Sequence, residues 1–196
     1  NFPVIEKSKS DIAISINYPG IIPQSIIELF EYGILNAHAG DLPRYKGNAC
    51  QSWAILNGEK KIGLCIHKMI GDKLDAGDII TRMYYPITIN TKITEILDWI
   101  SKTTPQLIIK SLNILKDNSD FVLQTQHEND DSSLRCFPLK PSDGKINWNS
   151  TSDDILKKIN AFNKPFQGAY SFLNEKKIII WDAQLTEYKF NFCAIP

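Results

Sequence analysis

Several patterns that mark particular classes of protein are missing from this sequence. Lys+Arg and Asp+Glu both number 22, so no excess of positive charge recruits nucleic acid or an anionic membrane surface. There is no apolar run long enough to span a bilayer and no recognisable signal peptide. We therefore expect a cytoplasmic protein with no membrane partner and with nucleic acid disfavoured as a partner.

Cysteine pairing is also missing. The four cysteines, Cys50, Cys65, Cys136 and Cys193, are far apart in the sequence, and none belongs to a Cys-x-x-Cys motif. This spacing argues against a disulfide framework and against a zinc site. The cysteines are predicted to be reduced and mostly buried thiols, and we expect no metal.

Both ends of the sequence look cut. Residue 1 is Asn rather than Met, and the chain stops at Pro196 without a polar tail. The composition between them is ordinary for a globular protein, with 43% hydrophobic and 22% charged residues. We expect a partial gene product that is truncated at both termini.

The first third of the chain predicts a strand, a helix and a second strand. Residues 11–16 form an isoleucine-rich run typical of a buried parallel strand, residues 23–32 have helical spacing, and residues 33–38 supply the next strand. We expect Gly33 to end the helix, as glycine commonly does. A strand–helix–strand unit implies a right-handed crossover, which brings the ends of both strands to one edge of the sheet.

Further along, residues 61–69 alternate well enough for a strand, and residues 79–87 are predicted to return antiparallel to it. A long amphipathic helix then begins at Thr91 and extends to about residue 116, although Pro105 suggests a break within it. Residues 118–141 have the least regular pattern, and we expect the domain boundary near them.

Three polar residues are expected to converge if the sheet is arranged in this way. Asn36 and His38 share one face of a strand, at its C-terminal end, and Asp75 lies in a glycine-flanked loop. A histidine near a carboxylate can take a proton from a nucleophile, and an asparagine amide can stabilise an oxyanion. The pattern fits direct acyl transfer, since Gly-x-Ser-x-Gly is absent. A buried, hydrogen-bonded core histidine is the alternative.

The other two histidines are interpreted differently. His67 lies in an alternating strand and is predicted to be a packed or surface residue. His127 falls in the polar linker, where exposure to solvent is expected.

The residues around Asn36 and Asp75 resemble the signature pair of the folate-dependent formyltransferases. The resemblance comes from Asn-x-His-x-x-x-Leu-Pro-x-Tyr-x-Gly at residues 36–47 and Leu-Asp-Ala-Gly-Asp-Ile at residues 74–79. It resumes at residues 143–148 and 159–170. Methionyl-tRNA formyltransferases and sugar-nucleotide N-formyltransferases belong to this family.

The resemblance implies an enzyme that uses 10-formyltetrahydrofolate as its formyl donor and a primary amine as acceptor. It makes His38 the acid/base, Asn36 the stabiliser of the tetrahedral intermediate and Asp75 the residue that tunes His38. It also implies a set of positions that bind the donor or another ligand. These are Gly20, Ile21, Ile22, Asn48, Gly71, Asp72, Lys73 and Leu74.

The implied fold is α/β. It has a Rossmann-like sheet that lacks its first strands in residues 1–137, and a linker helix with the start of a small OB-like β domain in residues 138–196. Asp41 and residues 48–53 look more like the sugar-nucleotide branch, in which a nucleotide-linked amino sugar is formylated for lipopolysaccharide or related glycan synthesis. Methionyl-tRNA formylation and a non-catalytic folate-binding fragment are the alternatives. A homodimer is among the expected assemblies.

Overall fold

The computed structural model describes residues 9–127 and 132–186. Within them the chain forms a mixed α/β fold, as predicted. The strands are β1 (Ala13–Ile16), β2 (Ile34–His38), β3 (Tyr45–Gly47), β4 (Lys61–Lys68), β5 (Ile79–Pro86), β6 (Leu134–Cys136), β7 (Ala169–Leu173) and β8 (Lys176–Ile180). The helices are α1 (Gln24–Ile27), α2 (Cys50–Leu56), α3 (Ile93–Asp117) and α4 (Ser152–Ala161), with a single 3₁₀ turn at Pro141–Gly144.

The largest sheet in the described part has the strand order β1-β2-β4-β5. Strands β1 and β2 are parallel, as the strand–helix–strand pattern predicts, and β5 returns antiparallel to β4, also as predicted. Strand β4 is antiparallel to β2 as well. The carboxyl ends of β1 and β2 therefore lie at one edge of the sheet, which is where open α/β sheets commonly bind ligands.

Helix α1 is much shorter than predicted. It contains only Gln24–Ile27, and tighter three-residue turns continue the chain to Gly33, which has a φ of +71°. Within these turns Ile27 and Phe30 still bury against Ile34, so the apolar spacing that suggested a longer helix is kept by the turns. The prediction that Gly33 ends a helix is therefore wrong, since the helix ends six residues earlier.

Helix α3 is unbroken, so the predicted break at Pro105 is also wrong. A proline removes the hydrogen bond to the carbonyl four residues earlier, here that of Ser101. Ser101 and Pro105 both lie on the exposed face of the helix, where water can solvate the freed carbonyl. The opposite face packs Leu107 and Ile108 against the sheet.

Strands β3 and β6 form a small parallel pair that the sequence did not predict. Strand β6 lies within the region interpreted as irregular linker, and its register places Cys136 beside Gly47. Gly47 has a φ of +102°, and a Cβ at this position would collide with the carbonyl oxygen of Cys136. The two backbones can therefore approach closely only because residue 47 has no side chain.

The region after residue 138 shares a hydrophobic core with the region before it. Ile55 of α2 and Ile159 of α4 belong to one cluster of buried side chains, and Ser52 Oγ donates to the carbonyl of Ala161 over 3.0 Å. Strands β7 and β8 form an antiparallel hairpin. Over residues 9–127 and 132–186, we find no helix with the length and apolar character needed to cross a membrane.

Candidate active site

The carboxyl end of β2 places Asn36 and His38 on the same face, because alternate residues of a strand point the same way. His38 is buried, with 7% of its surface exposed. The two side chains line a cavity of about 660 Å³ at this edge of the sheet. The spacing that the sequence predicts is thus realised in the fold.

His38 lies against a carboxylate and a backbone carbonyl. Its Nδ1 is 3.4 Å from Oδ1 of Asp75, and its Nε2 is 2.8 Å from the carbonyl oxygen of Tyr45. The other oxygen of Asp75 accepts a hydrogen bond from the backbone N–H of Gly47 over 2.7 Å. Asp75 is therefore fixed by β3, and a proton on either nitrogen of His38 faces an oxygen acceptor.

Asn36 is held by a histidine on the neighbouring strand. Asn36 and His67 are direct cross-strand partners, and the Nδ2 of Asn36 is 3.2 Å from Nε2 of His67. The Nδ1 of His67 faces two carbonyl oxygens, those of Lys68 at 2.8 Å and Ala76 at 3.0 Å. Since carbonyls only accept, the proton of His67 is on Nδ1, and Nε2 accepts from the amide of Asn36.

Burial keeps this second histidine neutral. Burial first, and then the nearby charge of His38, lower the pKa of His67 to about 4. A neutral ring retains the lone pair that the Asn36 amide needs. His67 thus fixes which way the amide points and leaves its second N–H for the cavity.

His67 is the residue that sequence reasoning missed. The burial of its ring agrees with the packed alternative, but its polar contacts join it to the site. The missing signal was the pairing of β2 with β4, which the alternation of β4 alone does not reveal. A bulge between Ile66 and His67 changes the register with β5 at this point. Bulges often redirect a side chain beside an active site.

Most of the predicted ligand-binding residues line the 660 Å³ cavity. These are Gly20, Ile21, Ile22, Asn48, Lys73 and Leu74. Gly71 and Asp72 do not line it. The N–H of Gly71 bonds to Oε1 of Gln24 over 2.8 Å, and that of Asp72 to the carbonyl of Ile22 over 3.3 Å. These two residues hold the loop before Asp75 against the chain segment after β1.

A second cavity of about 410 Å³ adjoins the first. Asn48, Ala49 and Phe166 line both cavities, so the two meet at this shared wall. The rest of the second cavity is mainly apolar, with prolines and aromatic rings and a few polar groups. Its other lining residues are Ser52, Pro138, Leu139, Lys140, Pro141, Ala161, Phe162, Pro165 and Gln167.

Metal chemistry has no candidate cluster in the part of the chain that the structure describes. No three or more His, Cys, Asp or Glu residues are grouped there as metal ligands. The site offers instead a histidine beside a carboxylate and an oriented amide, at the junction of two cavities. Such a group can move a proton and stabilise negative charge on a carbonyl oxygen.

Two family models match most of the sequence. Residues 2–112 match the model described as formyl transferase, and residues 138–192 match the model of the formyl transferase C-terminal domain. The two matched segments include every residue that lines the two cavities except Arg135.

Individual relatives extend the similarity over nearly the whole chain. The bifunctional polymyxin resistance protein ArnA of Wigglesworthia glossinidia brevipalpis is 33% identical over 93% of this chain and 27% of its own length. The methionyl-tRNA formyltransferase of Clostridium tetani is 31% identical over 96% of this chain and 59% of its own length. The chain thus spans about a quarter of the first relative and less than two thirds of the second.

Solved structures give the same fold. WlaRD, a sugar 3N-formyl transferase determined in the presence of dTDP and 5-N-formyl-THF, is 29% identical to this chain with a TM-score of 0.66. That match covers 85% of this chain and 58% of WlaRD.

Proposed function

This chain belongs to the formyl transferase family, and we propose that it transfers a formyl group from 10-formyltetrahydrofolate to the primary amine of a nucleotide-linked amino sugar. The observation that carries the proposal is the convergence of Asn36, His38 and Asp75 in one cavity at the sheet edge. The product would enter lipopolysaccharide or related glycan synthesis. The cytoplasmic location, the homodimer and the domain boundary after residue 137 stay predictions from the sequence.

The larger cavity suits the formyl donor. A reduced pterin is flat and carries hydrogen-bond donors and acceptors along its edges, so exposed backbone groups suit it well. Gly20, Ile21 and Ile22 supply one wall of this kind, and Lys73 and Leu74 supply the opposite wall. When bound, the folate supplies an activated formyl group.

His38 would act as the acid/base of the transfer. The amine must lose a proton as it attacks the formyl carbon, and the folate nitrogen must gain one as it leaves. The ring of His38 can carry that proton, and the carboxylate of Asp75, 3.4 Å away, stabilises the charged imidazolium. No covalent enzyme intermediate is required in this scheme.

Asn36 would stabilise the negative charge that develops on the formyl oxygen. One N–H of its amide is engaged by His67, and the other can donate into the cavity. An oriented amide of this kind is worth about 3 kcal/mol to the transition state. The proposed roles need this orientation, because a flipped amide would present its oxygen to the oxyanion.

The smaller cavity supports a nucleotide-linked acceptor. Its volume of about 410 Å³ falls within the range of small-molecule pockets. The aromatic rings of Phe162 and Phe166 and the neighbouring prolines suit a flat base, and Lys140 offers a cation for a phosphate. Because the cavity meets the donor cavity at Asn48, a sugar amine could reach the formyl group from this side.

Methionyl-tRNA formylation is the second candidate. It is favoured by relatives of that name, which align with 96% or more of this chain at 31–33% identity. The balanced charge of the sequence counts against it, because a tRNA acceptor stem is bound chiefly through its phosphates.

The two candidates are separated by supplying both acceptors to the purified chain. We expect formylated product, detected by mass spectrometry, from 10-formyltetrahydrofolate and at least one member of a panel of amino-sugar nucleotides. Methionyl-tRNA should remain unformylated and should give no gel shift at low salt. His38→Ala should abolish turnover with the circular dichroism spectrum unchanged, and the exposed His127→Ala is the matched control.

Other outcomes are equally informative. Formylation of methionyl-tRNA, with none of any amino sugar, would overturn the sugar assignment in favour of the second candidate. Folate binding without transfer to any amine would favour the non-catalytic alternative. Full turnover by His38→Ala would refute the role of His38.

A further inference from the structure

The turn that carries Asp75 is held from outside by a glutamine, Gln126. The segment before Gln126 pairs antiparallel with Ile79, the first residue of β5, and this pairing brings the glutamine beside the turn. Its Nε2 donates to the carbonyl oxygen of Asp75 over 3.1 Å and to that of Gly77 over 2.7 Å. One side chain thus binds both ends of a three-residue turn.

The orientation of the Gln126 amide follows from its partners. Both groups that it faces are carbonyl oxygens, which only accept, so the amide nitrogen must point at the turn. Each of its two N–H bonds serves one carbonyl. The amide oxygen is buried and has no hydrogen-bond partner among the residues that the structure describes. Within that part of the chain, the hydrogen bonds of this side chain therefore go to the turn alone.

The backbone of this turn has a conformation that needs support. Asp75 has a φ of +45°, in the left-handed region that is disfavoured for residues with a side chain. Gly77 has a φ of +99°, and a Cβ there would collide with the carbonyl oxygen of Lys68. The carbonyl between them, that of Ala76, accepts from Nδ1 of His67 over 3.0 Å. Three consecutive carbonyls are thus held by two side chains.

We propose that Gln126 is a positioning residue for the transfer, which keeps the carboxylate of Asp75 at His38 by holding the backbone of the turn. The effect on the rate rests on the proposed function, whereas the effect on the carboxylate does not. The two oxygens of Asp75 lie 3.4 Å from Nδ1 of His38 and 2.7 Å from the backbone nitrogen of Gly47. Because an aspartate side chain is short, both contacts depend on where the backbone of Asp75 lies.

The other end of this loop is fixed by a different glutamine. The N–H of Gly71 donates to Oε1 of Gln24 over 2.8 Å. This end of the loop leads into residues 73–74, which line the donor cavity. Loss of the Gln126 amide should therefore displace Asp75 and leave the donor wall in place. The two glutamines allow the catalytic and the binding role of the loop to be tested separately.

Steady-state kinetics tests the two roles. Gln126→Ala should lower kcat by about tenfold to a hundredfold, since a displacement of about 1 Å near a reacting centre can cost that much, and should leave the KM for 10-formyltetrahydrofolate within about twofold. Gln24→Ala should instead raise that KM and keep kcat within about twofold. In an Asp75→Ala chain, adding Gln126→Ala should lower kcat by less than about twofold, because the carboxylate that it positions is gone.

Amide hydrogen exchange, followed by NMR, monitors the carboxylate without any turnover. The N–H of Gly47 donates to Oδ2 of Asp75, so its exchange rate reports whether the carboxylate is in place. We expect Gln126→Ala to speed exchange at Gly47 by about tenfold or more. The next amide, that of Asn48, donates to the carbonyl of Cys136 and should exchange as slowly as in the parent chain.

Three results would overturn the proposal. One is a Gln126→Ala chain with a raised donor KM and an unchanged kcat. Another is the same loss of kcat from Gln126→Ala with and without the carboxylate of Asp75, which would indicate a general structural role. The third is equal exchange behaviour of Gly47 and Asn48. If no acceptor is ever formylated, hydrogen exchange alone still decides whether Gln126 holds the carboxylate, so failure of the proposed function is told apart from failure of the positioning.

Discussion

At the scale of single residues, the site depends on a histidine that need never touch a substrate. The ring of His67 has its proton fixed by two carbonyl oxygens, so its remaining lone pair accepts from Asn36 and fixes the amide. An asparagine free to rotate would offer its oxygen as readily as its N–H. The direction of the Asn36 amide is therefore set by the two backbone carbonyls that keep the proton of His67 on Nδ1.

Removing this ring should affect turnover more than binding. We expect His67→Ala to lower kcat by tenfold to a hundredfold and to leave the KM for 10-formyltetrahydrofolate within about twofold, because the amide loses its orientation while the cavity walls stay in place. His67→Gln, whose side-chain oxygen can accept from Asn36, should recover part of kcat. Steady-state kinetics of both variants checks this, and an equal rise in KM for both would contradict a positioning role.

The same ring makes stability depend on pH. The folded pKa of His67 is lowered to about 4 from its ordinary value of 6.5. Between these values the unfolded chain binds a proton that the folded chain does not, so the free energy of unfolding decreases as the pH falls. The full effect of this ring is about 3 kcal/mol, present above pH 6.5 and lost by about pH 4.

Urea unfolding at pH 7 and pH 5 measures this dependence. His67→Gln should have a smaller loss of stability between the two values than the parent chain, because its side chain does not titrate. His127→Gln, which removes an exposed imidazole, should lose as much stability as the parent. Parallel profiles for all three chains would show that another group is responsible.

At the scale of elements, the pairing of β3 with β6 supports the site, and no pattern in the sequence predicted it. Each has only three residues, too few for a period to be recognised, and they lie far apart in the chain. Their pairing fixes Gly47, whose N–H positions Asp75. The contact depends on the absence of a side chain at residue 47.

A pair of glycine substitutions tests this support. Gly47→Ala should lower the free energy of unfolding by about 3 kcal/mol and strongly reduce turnover, because the new Cβ meets the carbonyl of Cys136. Gly58 also has a positive φ, of +68°, but a Cβ there finds no atom closer than 3.7 Å. Gly58→Ala should therefore cost about 1 kcal/mol and leave turnover unchanged. Equal losses would mean that backbone strain alone explains Gly47.

The elements also mark how far the sequence could predict this molecule. The strands that flank the site, and the convergence of Asn36, His38 and Asp75, followed from apolar runs and from a family resemblance. The predicted break at Pro105 did not occur, because the carbonyl of Ser101 that the proline frees lies on the exposed face of the helix. Helix propensity alone does not reveal which face of the helix is exposed. The role of His67 needed the pairing of β2 with β4, which is a property of the fold and not of either strand.

At the scale of the whole molecule, one hydrophobic core connects both parts of the chain that lie around the site. Ala54 and Ile55 of α2 pack with Ile159 of α4 and Ala169 of β7. The residues that form the two cavities therefore pack on the same hydrophobic core. Asn48, Ala49 and Phe166, which line both cavities, are held where the two cavities meet. The proposed formyl donor and acceptor would approach each other at this junction of the two cavities.

This junction has a consequence for the order of events. Two reactants held in adjoining cavities can be present together, so we expect the proposed transfer to proceed within a ternary complex, with neither product leaving before both reactants have arrived. Double-reciprocal plots of initial rate against acceptor concentration, at several fixed donor concentrations, should intersect. Parallel lines would instead indicate a covalently formylated enzyme that persists after the folate has dissociated.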